Sequence, residues 1–150
     1  MPQSKGNNVR ITVFIDANPA HNQLTTHSVT GILLFVNDTP IKWTSQNQKT
    51  LDYSTYGSKL ATACIATEIA IEIWYNLKML DVPFIGPALM LGDNRSTVFN
   101  TTMPPSMLKK KHNAMAYHRV REAIAAGIVR FRNLRSDENL AVVLTKPLGC

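Results

Sequence analysis

An apolar run near the start of the sequence, V-R-I-T-V-F-I-D at positions 9–16, ends in a carboxylic acid. Its β-branched residues predict a buried strand. A carboxylate at the point where such a strand stops is costly to bury without a partner. We therefore expect Asp16 either to lie in a solvated turn or to hold a cation, and the run alone leaves both alternatives open.

The rest of the chain alternates between two hydrophobic periods. Short apolar runs predict four more strands, at 29–36, 41–45, 88–91 and 128–134. Apolar residues at i, i+3 and i+4 predict helices at 55–80 and 109–126, with shorter helical segments at 96–100 and 139–145. The main elements follow the order βββ-α-β-α-β-α. This order predicts a mixed α/β fold, a five-stranded sheet whose first three strands are antiparallel, with helices on both faces.

Composition limits the class of protein. The chain has 150 residues, of which 45% are hydrophobic, enough for one domain with a core. We expect a flexible leader at 1–8, one domain at 9–146 and a tail at 147–150. No run approaches the ~18 apolar residues of a membrane span, and the first residues lack the apolar segment of a secretory signal. Cys64 and Cys150 give neither a disulfide framework nor a metal-binding spacing, so an intracellular setting, cytoplasm or nucleus, is expected.

Positive charge is concentrated late in the sequence. The formal net charge is +6, and the segment from Lys109 to Arg135 carries eight Lys or Arg residues and one acid, Glu122. Such a segment fits a surface that binds phosphate backbones. A solvated helix face explains the same charge equally well, so the charge alone does not decide between the two.

Short motifs extend along nearly the whole chain: F-I-D-A at 14–17, H-S-V-T-G-I-L-L-F at 27–35, P-I-K-W-T-S-Q-N-Q-K-T at 40–50, S-T-Y-G-S at 54–58, G-D-N at 92–94, K-K-K-H-N-A-M-A-Y-H-R-V-R-E at 109–122, A-G-I at 126–128 and N-L-A-V-V-L-T-K at 139–146. In this order they resemble the ribonuclease H domain of copia-type LTR retrotransposon polyproteins. The resemblance implies a ribonuclease H fold and, as substrate, the RNA strand of an RNA/DNA hybrid, read by its shape and 2′-hydroxyls. It also implies that a reverse transcriptase domain precedes this unit in a polyprotein.

The resemblance implies a metal site from which this sequence departs. In that family four carboxylates hold two Mg²⁺ ions about 4 Å apart, which orient a water and stabilise the leaving oxygen. Carried over position by position, the first acid is Asp16 and the third is Asp93. Lys59 stands at the position of the second acid and Val142 at the position of the fourth. Asp16 and Asp93 are then the retained acids, and metal ligands only weakly if at all.

The lysine also changes the charge that the resemblance implies for this site. An ammonium there opposes a divalent cation, since one charge pair at ~4 Å and an effective dielectric of ~20 is worth about 4 kcal/mol. We expect Lys59 to pair with Asp16 or Asp93 instead. Glu138, one helical turn before Val142, is a weak substitute for the missing acid, because about 6 Å is far for a metal ligand.

The resemblance also places the basic helix near the nucleic acid. It implies phosphate contacts from Lys109, Lys110, Lys111, His112, His118 and Arg119. The three lysines are the strongest candidates as point charges, whereas the histidines fit an exposed helix face equally well. Elsewhere, Trp43 and Trp74 are expected in the core, and Gly31 in mid-strand predicts a close backbone approach or a bulge.

These observations lead to one main hypothesis and three alternatives. The main hypothesis is a ribonuclease H-like domain of retrotransposon origin that acts on or binds the RNA strand of hybrids, with an impaired Mg²⁺-dependent endonuclease activity. The alternatives are a non-catalytic nucleic-acid-binding module, a non-functional relic that still folds, and residual hydrolysis through one metal ion held by Asp16 and Asp93. Hybrid affinity that falls steeply with salt separates a binding module from a relic.

Overall fold

The computed structural model describes residues 8–18, 28–48, 55–83, 86–93 and 111–145, with the backbone alone at 55–57 and 111–116. The strands are β1 (Ile11–Asn18), β2 (Val29–Val36), β3 (Thr39–Asn47), β4 (Ala88–Gly92) and β5 (Val129–Asn133). They form a five-stranded sheet in the order β3-β2-β1-β4-β5. The first three strands pair antiparallel, and the β1–β4 and β4–β5 pairs are parallel. The predicted mixed sheet is confirmed.

Two α-helices pack against one face of this sheet. They are α1 (Thr55–Met79) and α2 (Lys111–Ala125), and the residues between them and the sheet form one core. Ala63, Ala66 and Ala70 of α1 are fully buried there, so the helix presents small side chains to the larger residues of the strands. Those strand residues include Val13, Ile15, Ile32, Leu34, Met90 and Phe131. Core packing thus fixes where the first turns of α1 lie relative to β1 and β4.

Two short 3₁₀ helices, Ser136–Glu138 and Leu140–Leu144, follow β5. The second lies on the other face of the sheet, where Ser45 Oγ donates to the Leu144 carbonyl at 2.5 Å. Gly31 of β2 lies directly beneath it. A Cβ at Gly31 would be 2.7 Å from Thr145 Cγ2 and 2.9 Å from the Ala141 carbonyl oxygen. The predicted close backbone approach at Gly31 is therefore confirmed, and helical segments cover both faces as predicted.

The helices end where the sequence predicts. Asp81 has φ +56° and Gly127 has φ +75°, left-handed conformations that close α1 and α2. The Ile128 N–H donates to the Ala123 carbonyl at 3.1 Å, which satisfies one of the last carbonyls of α2. No helix within the described ranges is long and apolar enough to cross a membrane.

Three sequence-based expectations need correction. Strand β1 continues past Asp16 to Asn18, so the acid lies inside the strand rather than at its end. The final helical segment is a 3₁₀ helix. The placement of Trp43 in the core is wrong, since its side chain is 64% exposed, because β3 is the edge strand and is exposed along almost its whole length. Trp74 packs against the core as predicted.

Some predicted features lie outside the described residues. They are residues 1–7 of the leader predicted at 1–8, the short helix at 96–100, the lysines at 109 and 110 and the tail at 147–150.

Candidate functional site

The carboxyl ends of two parallel strands bring Asp16 and Asp93 to one edge of the sheet. Phe14 of β1 lies beside Leu91 of β4 in the parallel ladder. Two residues further along the chain come Asp16, near the end of β1, and Asp93, the first residue after β4, at the kind of position where ligands bind in such sheets. Both acids line a small pocket, here called the carboxylate pocket, whose other walls are Ile15, Ala17, Lys59, Thr62, Gly92 and Phe131.

A buried polar cluster anchors the start of α1 beside this pocket. Gln48 is 7% exposed, and its Nε2 donates to the Ser58 carbonyl at 2.8 Å and to Thr30 Oγ1 at 2.9 Å. The hydroxyls of Thr30 and Thr62 are 3.0 Å apart, which joins β2 directly to the second turn of α1. Because Lys59 follows Ser58, these bonds help to fix the part of α1 from which its side chain reaches the carboxylate pocket.

Lys59 forms an ion pair across the carboxylate pocket. Its Nζ is 2.5 Å from Asp93 Oδ1, and the two side chains are only 17% and 13% exposed. Ser136 Oγ donates to the other oxygen of Asp93, Oδ2, at 2.9 Å. Both carboxylate oxygens of Asp93 therefore already have donors from the protein. Of the two partners expected for Lys59, the structure selects Asp93.

Asp16 is held by the segment that follows β5. It is 8% exposed, and the Thr145 hydroxyl donates to its Oδ2. The same hydroxyl lies 3.1 Å from the carbonyl oxygen of Val142, the half-buried residue at the position of the fourth implied acid. Glu138 is exposed and does not line the carboxylate pocket. The structure thus brings Asp16, Asp93 and Lys59 together. The backbone of Val142 is linked to Asp16 through the Thr145 hydroxyl.

The side chains of the carboxylate pocket do not fit a two-magnesium centre. Magnesium takes oxygen ligands at about 2.0–2.1 Å in octahedral geometry. Here an ammonium occupies one oxygen of Asp93 at 2.5 Å and a hydroxyl occupies the other. Among the described residues, no three His, Cys, Asp or Glu side chains are grouped so that they could hold a metal ion. Lys59 instead neutralises one of the two carboxylates, Asp93.

Asn139 attaches the final 3₁₀ helix to the sheet, and we expect its loss to be costly. The residue is 5% exposed, its Nδ2 donates to the Ile15 carbonyl at 2.8 Å, and its Oδ1 accepts from the Ala141 N–H at 3.1 Å. Asn139→Ala removes both bonds and leaves buried backbone groups without these partners, so the free energy of unfolding should fall by about 2 kcal/mol. Urea titration followed by circular dichroism measures the change.

The exposed Asn133 provides the matched control. Asn133→Ala should change the free energy of unfolding by less than about 0.5 kcal/mol. If the two alanine variants proved equally stable, Asn139 would not be the attachment point.

The residues that the resemblance implies for phosphate contact are only partly described. Lys109 and Lys110 lie outside the described residues, and Lys111 and His112 begin α2 without described side chains. His118 is exposed, and its ring contacts that of Tyr117 at 5.3 Å between centroids. Arg119 lies 3.9 Å from Glu68 and 3.7 Å from Glu122. These are exposed ion pairs, which hold Arg119 only weakly.

Strand β5 adds two cations on one face of the sheet. Arg130 and Arg132 are exposed, whereas Val129 and Phe131 are buried, because successive side chains of a strand point to opposite faces. The two arginines lie beside Leu89 and Leu91 of β4 in the sheet register.

Sequence reasoning missed four residues that hold the carboxylate pocket. They are Gln48, Ser136, Asn139 and Thr145. Asn139 had a local signal, because Asn immediately before an apolar helical run is typical of an N-cap. The others donate to groups far away in sequence, so no local pattern identifies them.

Comparison with curated proteins gives relatives that are polyproteins of transposons. No protein-family model matches the chain. The curated "Retrovirus-related Pol polyprotein" sequences from transposons RE1 and RE2 of Arabidopsis thaliana are each 26% identical over 145 residues, 97% of this chain. The match covers 10% of each polyprotein, so the chain spans about a tenth of the length of these relatives.

Solved structures with the same fold include ribonuclease H domains. The N-terminal ribonuclease H domain of a Mycobacterium tuberculosis protein matches with a TM-score of 0.68 and 11% identity, over 92% of this chain and 91% of that one. LC11-RNase H1, isolated from compost, was solved in complex with an RNA/DNA hybrid. That complex matches with a TM-score of 0.63 and 12% identity, over 90% of this chain and 93% of that one. At these identities the likeness establishes the fold.

Proposed function

We propose that this chain, which has the ribonuclease H fold, is a unit of a copia-type retrotransposon polyprotein that binds RNA/DNA hybrids and cleaves them poorly or not at all. The observation that carries the proposal is the Lys59–Asp93 ion pair at 2.5 Å, where hydrolysis would need a metal ion. Among the described residues, the acids of the carboxylate pocket do not form a group that could hold a metal ion, so we expect little of the catalysis that two bridging cations support.

Hybrid binding is supported by the basic segment and by the fold. The Lys109–Arg135 segment carries eight Lys or Arg residues, and a duplex with A-like geometry is read by its backbone and 2′-hydroxyls rather than by base edges. A solved relative in fold, LC11-RNase H1, binds such a hybrid. The polyprotein context is supported by the Arabidopsis relatives, and we propose that a reverse transcriptase domain precedes this unit.

Binding to a fluorescein-labelled RNA/DNA hybrid, followed by anisotropy across a range of salt concentrations, tests the proposal. Affinity should fall steeply with salt, because each phosphate that the protein neutralises releases a counterion. The triple substitution of Lys109, Lys110 and Lys111 by Ala should weaken binding at least about tenfold and lower the salt slope by about 3, roughly 1 for each lysine that no longer neutralises a phosphate.

A charge-matched variant tests whether the hybrid binds to a local basic surface or is attracted only by the net positive charge of the chain. Arg10, Lys42 and Lys78 are exposed and lie on or beside β1, β3 and α1. Their triple replacement by Ala removes the same charge but should leave the salt slope nearly unchanged. Equal losses of affinity in the two triple variants would mean attraction by net charge alone, and no binding at low salt would favour the non-functional relic.

A further inference from the structure

The carboxylate pocket carries far less negative charge than a four-carboxylate site. Asp16 and Asp93 contribute two negative charges and Lys59 one positive charge, a formal total of −1. In a four-carboxylate site the formal charge is −4 without metal, which repels phosphates until divalent cations bind. Here a fixed ammonium neutralises part of the negative charge from within the fold.

Lys59 is also placed to meet a phosphate directly. An ammonium has three N–H donors, and Asp93 Oδ1 accepts from the Lys59 Nζ at 2.5 Å. The side chain is 17% exposed and lines the carboxylate pocket, which has room for about one water-sized group, so a single phosphate oxygen is the part of a nucleic-acid backbone that would reach it. The Gln48 cluster and the packing of α1 hold the lysine in this position without a metal ion.

We propose that Lys59 replaces the electrostatic role of a divalent cation in substrate binding, so that this chain binds the hybrid backbone independently of Mg²⁺. The inference rests on the proposed function, because it concerns the same nucleic acid at the same pocket. It adds that the lysine is a phosphate-binding residue, rather than only the remnant of a former metal-ligand position.

Hybrid affinity measured with EDTA and with Mg²⁺, at equal ionic strength, tests this inference. The native chain should bind with dissociation constants that agree within about twofold. Lys59→Glu should bind at least about tenfold more weakly in EDTA and regain most of that affinity in Mg²⁺, since it restores a carboxylate beside Asp93. Lys59→Gln should bind more weakly under both conditions and gain nothing from Mg²⁺.

A second charge reversal controls for general electrostatics. Lys78→Glu changes the net charge equally on the exposed part of α1, and its affinity should not depend on Mg²⁺. Circular dichroism confirms that each variant is folded. If Lys59→Glu does not fold, the comparison of native affinity in EDTA and in Mg²⁺ still tests the inference.

The two proposals fail in different ways. A native chain that binds the hybrid only in Mg²⁺, or a Lys59→Gln variant with native affinity, overturns the role of Lys59 and leaves the proposed function standing. Absence of hybrid binding in both EDTA and Mg²⁺ overturns the proposed function and this inference with it.

Discussion

The double substitution Lys59→Glu, Val142→Asp is expected to turn this chain into a Mg²⁺-dependent nuclease that cuts the RNA strand of an RNA/DNA hybrid. It removes the ammonium from Asp93 and supplies two further carboxylates, the ligand type that Mg²⁺ prefers. Two bridged cations stabilise attacking and leaving oxygens by several kcal/mol. Cleavage should therefore exceed that of the native chain by at least about 100-fold, as measured by electrophoresis of end-labelled RNA.

The structure explains why both changes are needed. Lys59→Glu alone adds a third carboxylate to the pocket, beside Asp93. It adds no carboxylate beside Asp16. Val142 lies on the segment whose Thr145 hydroxyl contacts Asp16, with 3.1 Å between that hydroxyl and the Val142 carbonyl. The resemblance implies an acid at the position of Val142, on the segment that contacts Asp16, and another at the position of Lys59, which pairs with Asp93. We therefore expect the two substitutions to supply carboxylates near different acids of the pocket.

Two controls make this result interpretable. Asp16→Asn in the double variant should abolish the restored cleavage, since it removes a ligand while preserving shape. The native chain should be inactive with Mg²⁺ and with Mn²⁺. Cleavage by the native chain that Asp16→Asn removes would show that the replaced acids are not disabling. An inactive double variant that is folded and binds the hybrid would mean that the acid positions are assigned wrongly.

Gly31→Ala is expected to destabilise the fold by about 3 kcal/mol, at the upper end of what one added methyl costs in a packed site. The new Cβ would lie 2.7 Å from Thr145 Cγ2 and 2.9 Å from the Ala141 carbonyl oxygen. The second contact is with backbone, which cannot rotate away. The final 3₁₀ helix must therefore lift from β2. Urea denaturation measures the loss of stability.

The chain offers a matched glycine and a partial rescue. A Cβ at Gly92 would meet only side-chain atoms, the nearest being Ile15 Cγ1 at 3.0 Å, so Gly92→Ala should cost about 1 kcal/mol or less. Thr145→Ser removes the methyl nearest to Gly31 and keeps the hydroxyl that contacts Asp16. The double variant Gly31→Ala, Thr145→Ser should therefore be more stable than the sum of the single effects by about 1 kcal/mol. Strict additivity would contradict the proposed clash.

The sequence predicted the fold because its signals are local and agree with one another. Short patterns predict several elements independently: the first strand, the β2–β3 hairpin, the glycine cap at Gly127 and the apolar face of α1. A parallel β1–β4 pair then brings Asp16 and Asp93 together without further information. The exposure of Trp43 was not predictable in this way, because a tryptophan in a strand looks the same whether the strand is central or at the edge.

The sequence predicted the acids of the candidate site, Asp16 and Asp93, but not the residues that hold them in place. The motif S-T-Y-G-S-K identified Lys59 as out of place and left two partners open. Choosing Asp93 depends on how α1 sits on the sheet, which the buried Gln48 cluster helps to set. The donors Ser136 and Thr145 are far in sequence from Asp93 and Asp16, and only the folded chain brings them together.

The parallel pairing of β1 with β4 has a consequence for how this chain folds. Strands β1, β2 and β3 pair with their neighbours in sequence, whereas β4 reaches β1 only after β2, β3 and α1 have been passed. Closing such a long loop costs entropy before the contacts that it brings can form, so we expect the local hairpins to form before the parallel pair. Asp93 would then meet Lys59 late in folding, and one of the two carboxylates of the pocket would be neutralised only in a nearly complete native structure.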